Sequence, residues 1–98
     1  MRLFKRVFKT VDEKFAELGF IKKEETKYGV IYERYNKKHD YTQVLHLMYK
    51  ESGIHIVQSY DKDLLDEQLI GNTCVGLTMY EIKLCFKKMR QLGWRETK

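Results

Sequence analysis

Residues 41–50 read YTQVLHLMYK, and their side chains alternate in character along the stretch. The odd-numbered set is mostly apolar or aromatic, and it comprises Tyr41, Gln43, Leu45, Leu47 and Tyr49. The even-numbered set is more mixed, and it comprises Thr42, Val44, His46, Met48 and Lys50. Because successive side chains of a strand point to opposite faces of a sheet, this alternation predicts a half-buried β-strand whose odd face meets the core.

Three neighbouring stretches are also rich in β-branched or aromatic residues and are separated by turn-forming residues. They predict strands over Phe20–Thr26, Val30–Asn36 and Ile54–Tyr60, and the first of these, being highly charged, is predicted to be a sheet edge. A two-residue turn at Ser52-Gly53 sets the predicted register of the last hairpin. That register pairs Leu47 with Gln58, Leu45 with Tyr60, and Tyr49 with Ile56.

Amphipathic stretches at both ends of the sequence predict helices. Apolar residues recur at three- and four-residue steps over Leu3–Leu18, where Gly19 ends the pattern. Near the other end, Thr78 and Glu81 have the spacing of a capping box, and Gly93 marks the end of the second helix. Between Asp61 and Gly76 the pattern weakens, and it predicts only a short helical turn around residues 64–70, a Gly-Asn turn at 71–72 and a loop.

Together, the predicted elements and the length of the chain indicate a single α+β domain over residues 1–98. It consists of an N-terminal helix, a three- to four-stranded antiparallel meander, and a C-terminal helix packed on one face of the sheet. With 98 residues, 43% hydrophobic and 34% charged, the chain has enough apolar surface to fold but no length for a second core. No apolar run approaches a membrane span, and the basic start lacks a signal-peptide core, so a cytoplasmic protein without membrane contact is expected. Two cysteines, Cys74 and Cys85, are predicted to be free thiols.

The residues that could carry catalysis do not converge in the sequence. In the predicted register His46 faces Ser59 and His55 faces Lys50, which places the imidazoles on one sheet face but too far apart to share an ion. The glycines form no phosphate-binding loop, and the paired carboxylates at residues 61 and 63 and at residues 66 and 67 lack the pattern of a calcium loop. We therefore predict no enzyme activity, no cofactor, no metal and no small-molecule substrate. The remaining enzymatic alternative is an RNA-cleaving toxin that uses His39, His46 or His55.

A non-enzymatic interaction module is the first functional hypothesis. If both helices cover one face of the sheet, the second face stays open and is semi-apolar, which favours association with a protein partner or a second copy of the chain as a homodimer. The candidate interface residues on that face are Val44, His46, Met48, His55 and Val57.

Nucleic-acid binding is the alternative hypothesis, because the net charge is +5 and the sequence pI is about 9.2. Tyrosines alternate with basic residues over residues 32–41, a mixture that can stack bases and neutralise phosphates. The basic face of the last helix adds further cations. The candidate contacts to RNA or DNA are Arg34, Lys37, Lys38, Lys83, Lys87 and Arg90.

The predicted order of elements resembles the double-stranded-RNA-binding fold and the small mRNA-interferase toxins built on it. The sequence has neither the lysine cluster of the former, since its last helix opens with Thr78-Met79-Tyr80-Glu81, nor the Gly-Ser-His strand of the latter. No functional residue is carried over from either.

A second resemblance rests on four short stretches: Leu18-Gly19-Phe20, Ile31-Tyr32-Glu33-Arg34-Tyr35, Leu77-Thr78 and Leu92-Gly93-Trp94. In these the sequence resembles small proteins encoded by phages and prophages of Gram-positive bacteria. The resemblance implies an accessory protein of a mobile element and no particular activity.

Overall fold

The computed structural model describes residues 9–63 and 74–95. Within these residues, two named helices and four strands follow in the order α1 (Val11–Glu17), β1 (Ile21–Thr26), β2 (Gly29–Asn36), β3 (Tyr41–Lys50), β4 (Ile54–Asp61) and α2 (Met79–Gln91). The strands form one antiparallel sheet in the order β1-β2-β3-β4. This confirms the predicted α+β fold, with a helix, a meander and a C-terminal helix.

All four predicted strands are confirmed, and their bounds differ from the prediction by at most one residue at either end. The pairing of β1 with β2 shifts between Lys22 and Glu24, and every side chain of β1 is exposed. A charged, irregular and exposed strand of this kind protects a sheet edge from pairing with other chains. The prediction that β1 is a charged edge is therefore confirmed.

The first helix begins later than predicted. Thr10 has an extended backbone, with φ −71° and ψ 165°, and caps the helix instead of continuing it. Its Oγ1 accepts a hydrogen bond from the Glu13 amide at 3.1 Å, and Glu13 Oε1 accepts one from the Thr10 amide at 2.8 Å. The prediction of one continuous helix over Leu3–Leu18 is thus wrong at residues 9 and 10, because it overlooked this capping box. Its part over residues 3–8 lies outside the described residues.

The second helix has the predicted start and end. Thr78 Oγ1 accepts from the Glu81 amide at 3.1 Å, and Glu81 Oε1 accepts from the Thr78 amide at 2.8 Å. After the helix, Gly93 adopts φ +77°, and the Trp94 amide donates to the Met89 carbonyl at 3.1 Å. The predicted short helical turn and Gly-Asn turn over residues 64–72 lie outside the described residues.

Both helices pack against the same face of the sheet, which places the core between them and β2 and β3. The buried core residues are Phe15, Phe20, Val30, Tyr32, Leu45, Leu47, Leu84, Cys85, Met89 and Trp94. The odd-numbered face of β3 is therefore the core face, as its alternation predicts.

The hairpin between β3 and β4 differs from the prediction by one residue. A three-residue loop, Glu51-Ser52-Gly53, replaces the predicted two-residue turn, and Gly53 adopts φ +94° while its amide donates to the Lys50 carbonyl at 2.7 Å. The observed register pairs Lys50 with Ile54, Tyr49 with His55, Leu47 with Val57, and Leu45 with Ser59. A shift of one residue turns every β4 side chain to the opposite face of the sheet.

Candidate functional site

The shifted register divides the predicted interface set between the two faces of the sheet. His55 and Val57 lie opposite Tyr49 and Leu47 and so share the face that the helices cover. The other three members, Val44, His46 and Met48, lie on the outer face. The prediction that all five residues form one open face is therefore wrong, and the cause is the extra residue in the hairpin loop.

On the helix side, the structure forms a groove between α2 and β4. It has a volume of about 240 Å³ and is lined by His55, Phe86, Met89, Arg90 and Trp94. Met89 and Trp94 are buried, whereas half of the Phe86 surface is exposed, at 51%. Val57 follows His55 on the same face of β4 and is also exposed. The groove is thus an accessible, mainly apolar depression at one side of the sheet.

Aromatic stacking holds the groove in shape. The Trp94 ring lies 5.3 Å from the Tyr49 ring at an interplanar angle of 15°, and the Tyr28 ring stacks on Tyr49 at 6.5 Å. Trp94 Nε1 donates to the Lys27 carbonyl at 3.0 Å, which fixes the end of α2 to the turn between β1 and β2. The His55 ring contacts Tyr49 edge-on at 5.3 Å. The floor of the groove is therefore pre-formed by packed rings.

β4 is the last strand of the described sheet, and its outer edge runs beside the groove. At one end of this edge the Val75 amide donates to the Ser59 carbonyl at 2.9 Å, and Cys74 forms an isolated antiparallel bridge with Tyr60. Backbone groups of alternate residues in a strand point to the same side, so the amide and carbonyl groups of His55 and Val57 point outward as those of Ser59 do. Within the described residues, no backbone group pairs with these outward groups of His55 and Val57.

Arg34, one of the predicted nucleic-acid contacts, points into the protein. Its Nη1 donates to Glu81 Oε2 at 2.9 Å and to the Leu18 carbonyl at 3.2 Å, and its Nη2 donates to Gln43 Oε1 at 2.8 Å. The guanidinium also lies 4.1 Å from the centre of the Phe20 ring. Both terminal nitrogens of Arg34 are thus bonded to groups of the protein itself, which disfavours the predicted contact of Arg34 with nucleic acid.

The other five predicted cations are exposed. Lys37 and Lys38 lie in the turn between β2 and β3, and Lys83, Lys87 and Arg90 lie on α2. None of the five makes an ion pair with another described residue. Arg90 lines the groove, while the two turn lysines lie on a separate element from it.

A cluster of charges under α2 was not predicted. Lys88 Nζ lies 3.1 Å from Asp12 Oδ1 and 2.9 Å from Glu25 Oε1, and Lys22 Nζ lies 2.9 Å from Asp12 Oδ2 and 3.0 Å from Glu25 Oε1. The Tyr32 hydroxyl donates to Asp12 Oδ1 at 2.6 Å. We call these five residues the charged ring. The sequence signal was present, because Lys88 follows Cys85 by three residues on the buried stripe of the last helix.

The charged ring shifts the acidity of its members. Burial alone would raise the pKa of Asp12, but hydrogen bonds from Tyr32, Lys22 and Lys88 outweigh it and lower that pKa. Hydrogen bonds from Lys88 and Lys22 lower the pKa of Glu25, while burial and the bond to Asp12 raise the pKa of Tyr32 far above its ordinary value. Each charge of the ring faces an opposite charge, and the ring joins α1, β1, β2 and α2 around the buried Lys88 and Tyr32.

The histidines lie apart from one another. His46 pairs with Gln58 on the outer face and His55 pairs with Tyr49 on the helix face, so the prediction that they share a face is wrong. His39 is exposed in the turn after β2. In residues 9–63 and 74–95, no group of three or more histidine, cysteine, aspartate or glutamate side chains could hold a metal ion.

The two cysteines differ in their exposure to solvent. Both cysteines are free thiols, as predicted, with Cys74 exposed and Cys85 buried, where burial and the nearby Glu81 raise the thiol pKa to about 12. Among the described helices, none is long and apolar enough to cross a membrane.

Comparisons of the chain with protein-family models, curated proteins and solved structures find no match. The resemblance to phage-encoded proteins therefore stays a prediction.

Proposed function

We propose that this protein is a non-enzymatic interaction module that binds an extended segment of a protein partner in the groove between α2 and β4. The segment adds a strand to the outer edge of β4, and its side chains enter the groove. The observation that carries this proposal is the bond from the Val75 amide to the Ser59 carbonyl, since it is a strand-type contact on this edge just beyond the open part. A cytoplasmic setting belongs to the proposal, because both cysteines are free thiols.

The groove lies where such a segment would place its side chains. An added strand runs about 4.8 Å from β4, and every second side chain then points to the helix face, beside His55 and Val57. An apolar side chain there is covered by Phe86 and Met89. Main-chain hydrogen bonds to the outward groups of His55 and Val57 supply affinity, and the groove supplies selectivity.

Panning of a random peptide library against the full chain tests the proposal, with Phe86→Ser as the groove variant. Tyr80→Ser is the matched control, because Tyr80 is equally exposed on α2, at 50%, but does not line the groove. We expect enriched peptides to bind the wild type and Tyr80→Ser equally, and to bind Phe86→Ser about tenfold or more weakly, as for a central interface residue. Trp94 is the single tryptophan and lines the groove, so its fluorescence measures binding.

The proposal fails if panning enriches no peptide, or if Phe86→Ser binds the enriched peptides as the wild type does. A second copy of the chain as the natural occupant is tested by light scattering of the wild type and Phe86→Ser. Dimerisation that Phe86→Ser abolishes would identify the partner as another copy.

Nucleic-acid binding is the second candidate function, and it is supported by the five exposed cations without an ion pair among the described residues. Fluorescence anisotropy with single- and double-stranded DNA and RNA tests it. Binding that releases counterions must weaken steeply between about 50 and 200 mM salt. Flat titrations at low salt would exclude it.

A further inference from the structure

Two cations lie along the helix that forms one wall of the groove. Arg90 lines the groove, and Lys83 stands one helical turn before Phe86 as Arg90 stands one turn after it. At about 100° per residue, Arg90 and Lys83 lie about 40° and 60° around the helix from Phe86, so all three share one stripe of α2. Among the described residues, neither cation has an ion-pair partner.

The described part of the protein supplies no acidic side chain to the lining of the groove. Glu81, the one acidic residue of α2, accepts from Arg34 on the buried side of the helix. An approaching segment therefore meets an apolar floor with positive charge at its rim, which favours an acidic ligand and disfavours a basic one.

We propose, on the basis of the function above, that the bound segment is acidic and follows the pattern acid–x–apolar–x–acid. Lys83 and Arg90 are seven residues apart, or roughly 10 Å along the helix axis. Two strand residues four apart are separated by roughly 13 Å and point to the same face. The central apolar side chain packs on Phe86 and Met89, and the carboxylates on either side reach the two cations through their long side chains.

A capped nine-residue peptide, Ser-Thr-Glu-Thr-Val-Thr-Glu-Thr-Ser, provides the probe. Its matched partner replaces both glutamates with lysine, and two further versions carry backbone N-methyl groups either on the four threonines or on the valine and glutamates. Binding to the full chain is followed by Trp94 fluorescence and by NMR shifts of the His55 and Val57 amides.

We expect the glutamate peptide to bind about tenfold more tightly than the lysine peptide at low salt. The two glutamates are attracted by Lys83 and Arg90, whereas the two lysines are repelled by them. The double variant K83Q/R90Q should remove this preference, whereas K37Q/K38Q, which removes equal charge from the distant turn, should keep it. Only one of the two N-methylated versions should lose binding, because only alternate amides of an added strand face β4.

Equal or tighter binding of the lysine peptide overturns the inference, as does a preference that survives in K83Q/R90Q. If library peptides bind through Phe86 while the glutamate and lysine peptides do not differ, the proposed function stands and only the acidic pattern is wrong. If no peptide binds through Phe86, both fail. An oligonucleotide that binds through Lys83 and Arg90 and displaces the glutamate peptide would assign these cations to nucleic acid and also overturn the inference.

Discussion

Glu24 and Glu25 are adjacent in sequence and differ only in what their side chains meet. Glu25 accepts from both lysines of the charged ring, whereas Glu24 lies opposite Ile31 at the exposed edge of the sheet. Replacing each glutamate with glutamine makes the same chemical change at both positions. Comparing the two variants therefore separates the contribution of the charged ring to stability from that of an ordinary surface carboxylate.

The first prediction concerns acid stability. The pKa of Glu25 is lowered from 4.5, so its contribution to stability is present above about pH 4.5 and is lost as the pH falls through the folded value. We expect Glu25→Gln to lower the free energy of unfolding by about 0.5–1 kcal/mol at pH 7, the range of a partly exposed ion pair. The difference in the free energy of unfolding between wild type and Glu25→Gln should become smaller towards pH 3, because the wild-type carboxyl is then becoming protonated.

Urea unfolding at pH 7 and at about pH 3 measures the effect, with Glu24→Gln as the control. Glu24→Gln should follow the wild type at both pH values. A constant cost of Glu25→Gln at both values would show that the ring does not depend on the charge of this carboxyl.

At this scale the sequence did not show the surroundings of two cations. Arg34 was predicted as a nucleic-acid contact, and no role was predicted for Lys88. Each is held inside by partners distant in sequence, Glu81 for Arg34 and Asp12 for Lys88. A charge count cannot show such pairing, although the position of Lys88 on the apolar stripe indicates burial.

Among the elements, the β3–β4 hairpin shows where sequence patterns lose precision. The alternation of residues 41–50 predicted the strand and its core face, and the turn residues predicted its neighbours. The Ser-Gly pair at 52–53 is compatible both with a two-residue turn and with a three-residue loop ending in glycine. The two-residue turn would place His55 and Val57 on the outer face of the sheet, whereas the observed three-residue loop places them on the helix face. The groove could therefore not be predicted from the two-residue turn.

The second prediction tests that loop. Gly53 has φ +94°, a left-handed conformation that costs other residues energy, so Gly53→Ala should destabilise the protein by about 1 kcal/mol. Gly76→Ala is the control, since Gly76 has no positive φ and a Cβ added there meets no atom within 4 Å. It should be neutral or stabilising by up to about 1 kcal/mol. Equal effects in thermal unfolding would show that Gly53 is not required by the loop.

At the scale of the whole molecule, two polar networks join the helices to the sheet. The charged ring links α1, β1, β2 and α2 through Asp12, Lys22, Glu25, Tyr32 and Lys88. The second network runs from Glu81 on α2 through Arg34 and Gln43 to Ser59 on β4, with 2.7 Å between Gln43 Nε2 and Ser59 Oγ. Every helix and strand named here is therefore tied to another by at least one of these networks.

The last prediction follows from this linkage and concerns cooperativity. Lys88→Met removes a buried ammonium from two carboxylates and should cost about 1–3 kcal/mol, the range for charged groups that lose a partner. Because the ring touches both helices and the sheet, the loss should appear equally in Trp94 fluorescence, which reports the end of α2, and in far-ultraviolet circular dichroism, which reports all elements. Lys87→Met changes the exposed neighbour in the same way and should stay within about 0.5 kcal/mol of the wild type. If only the fluorescence transition shifts in Lys88→Met, α2 unfolds separately from the sheet, and the groove between α2 and β4 would then lack the rigid wall that peptide binding requires.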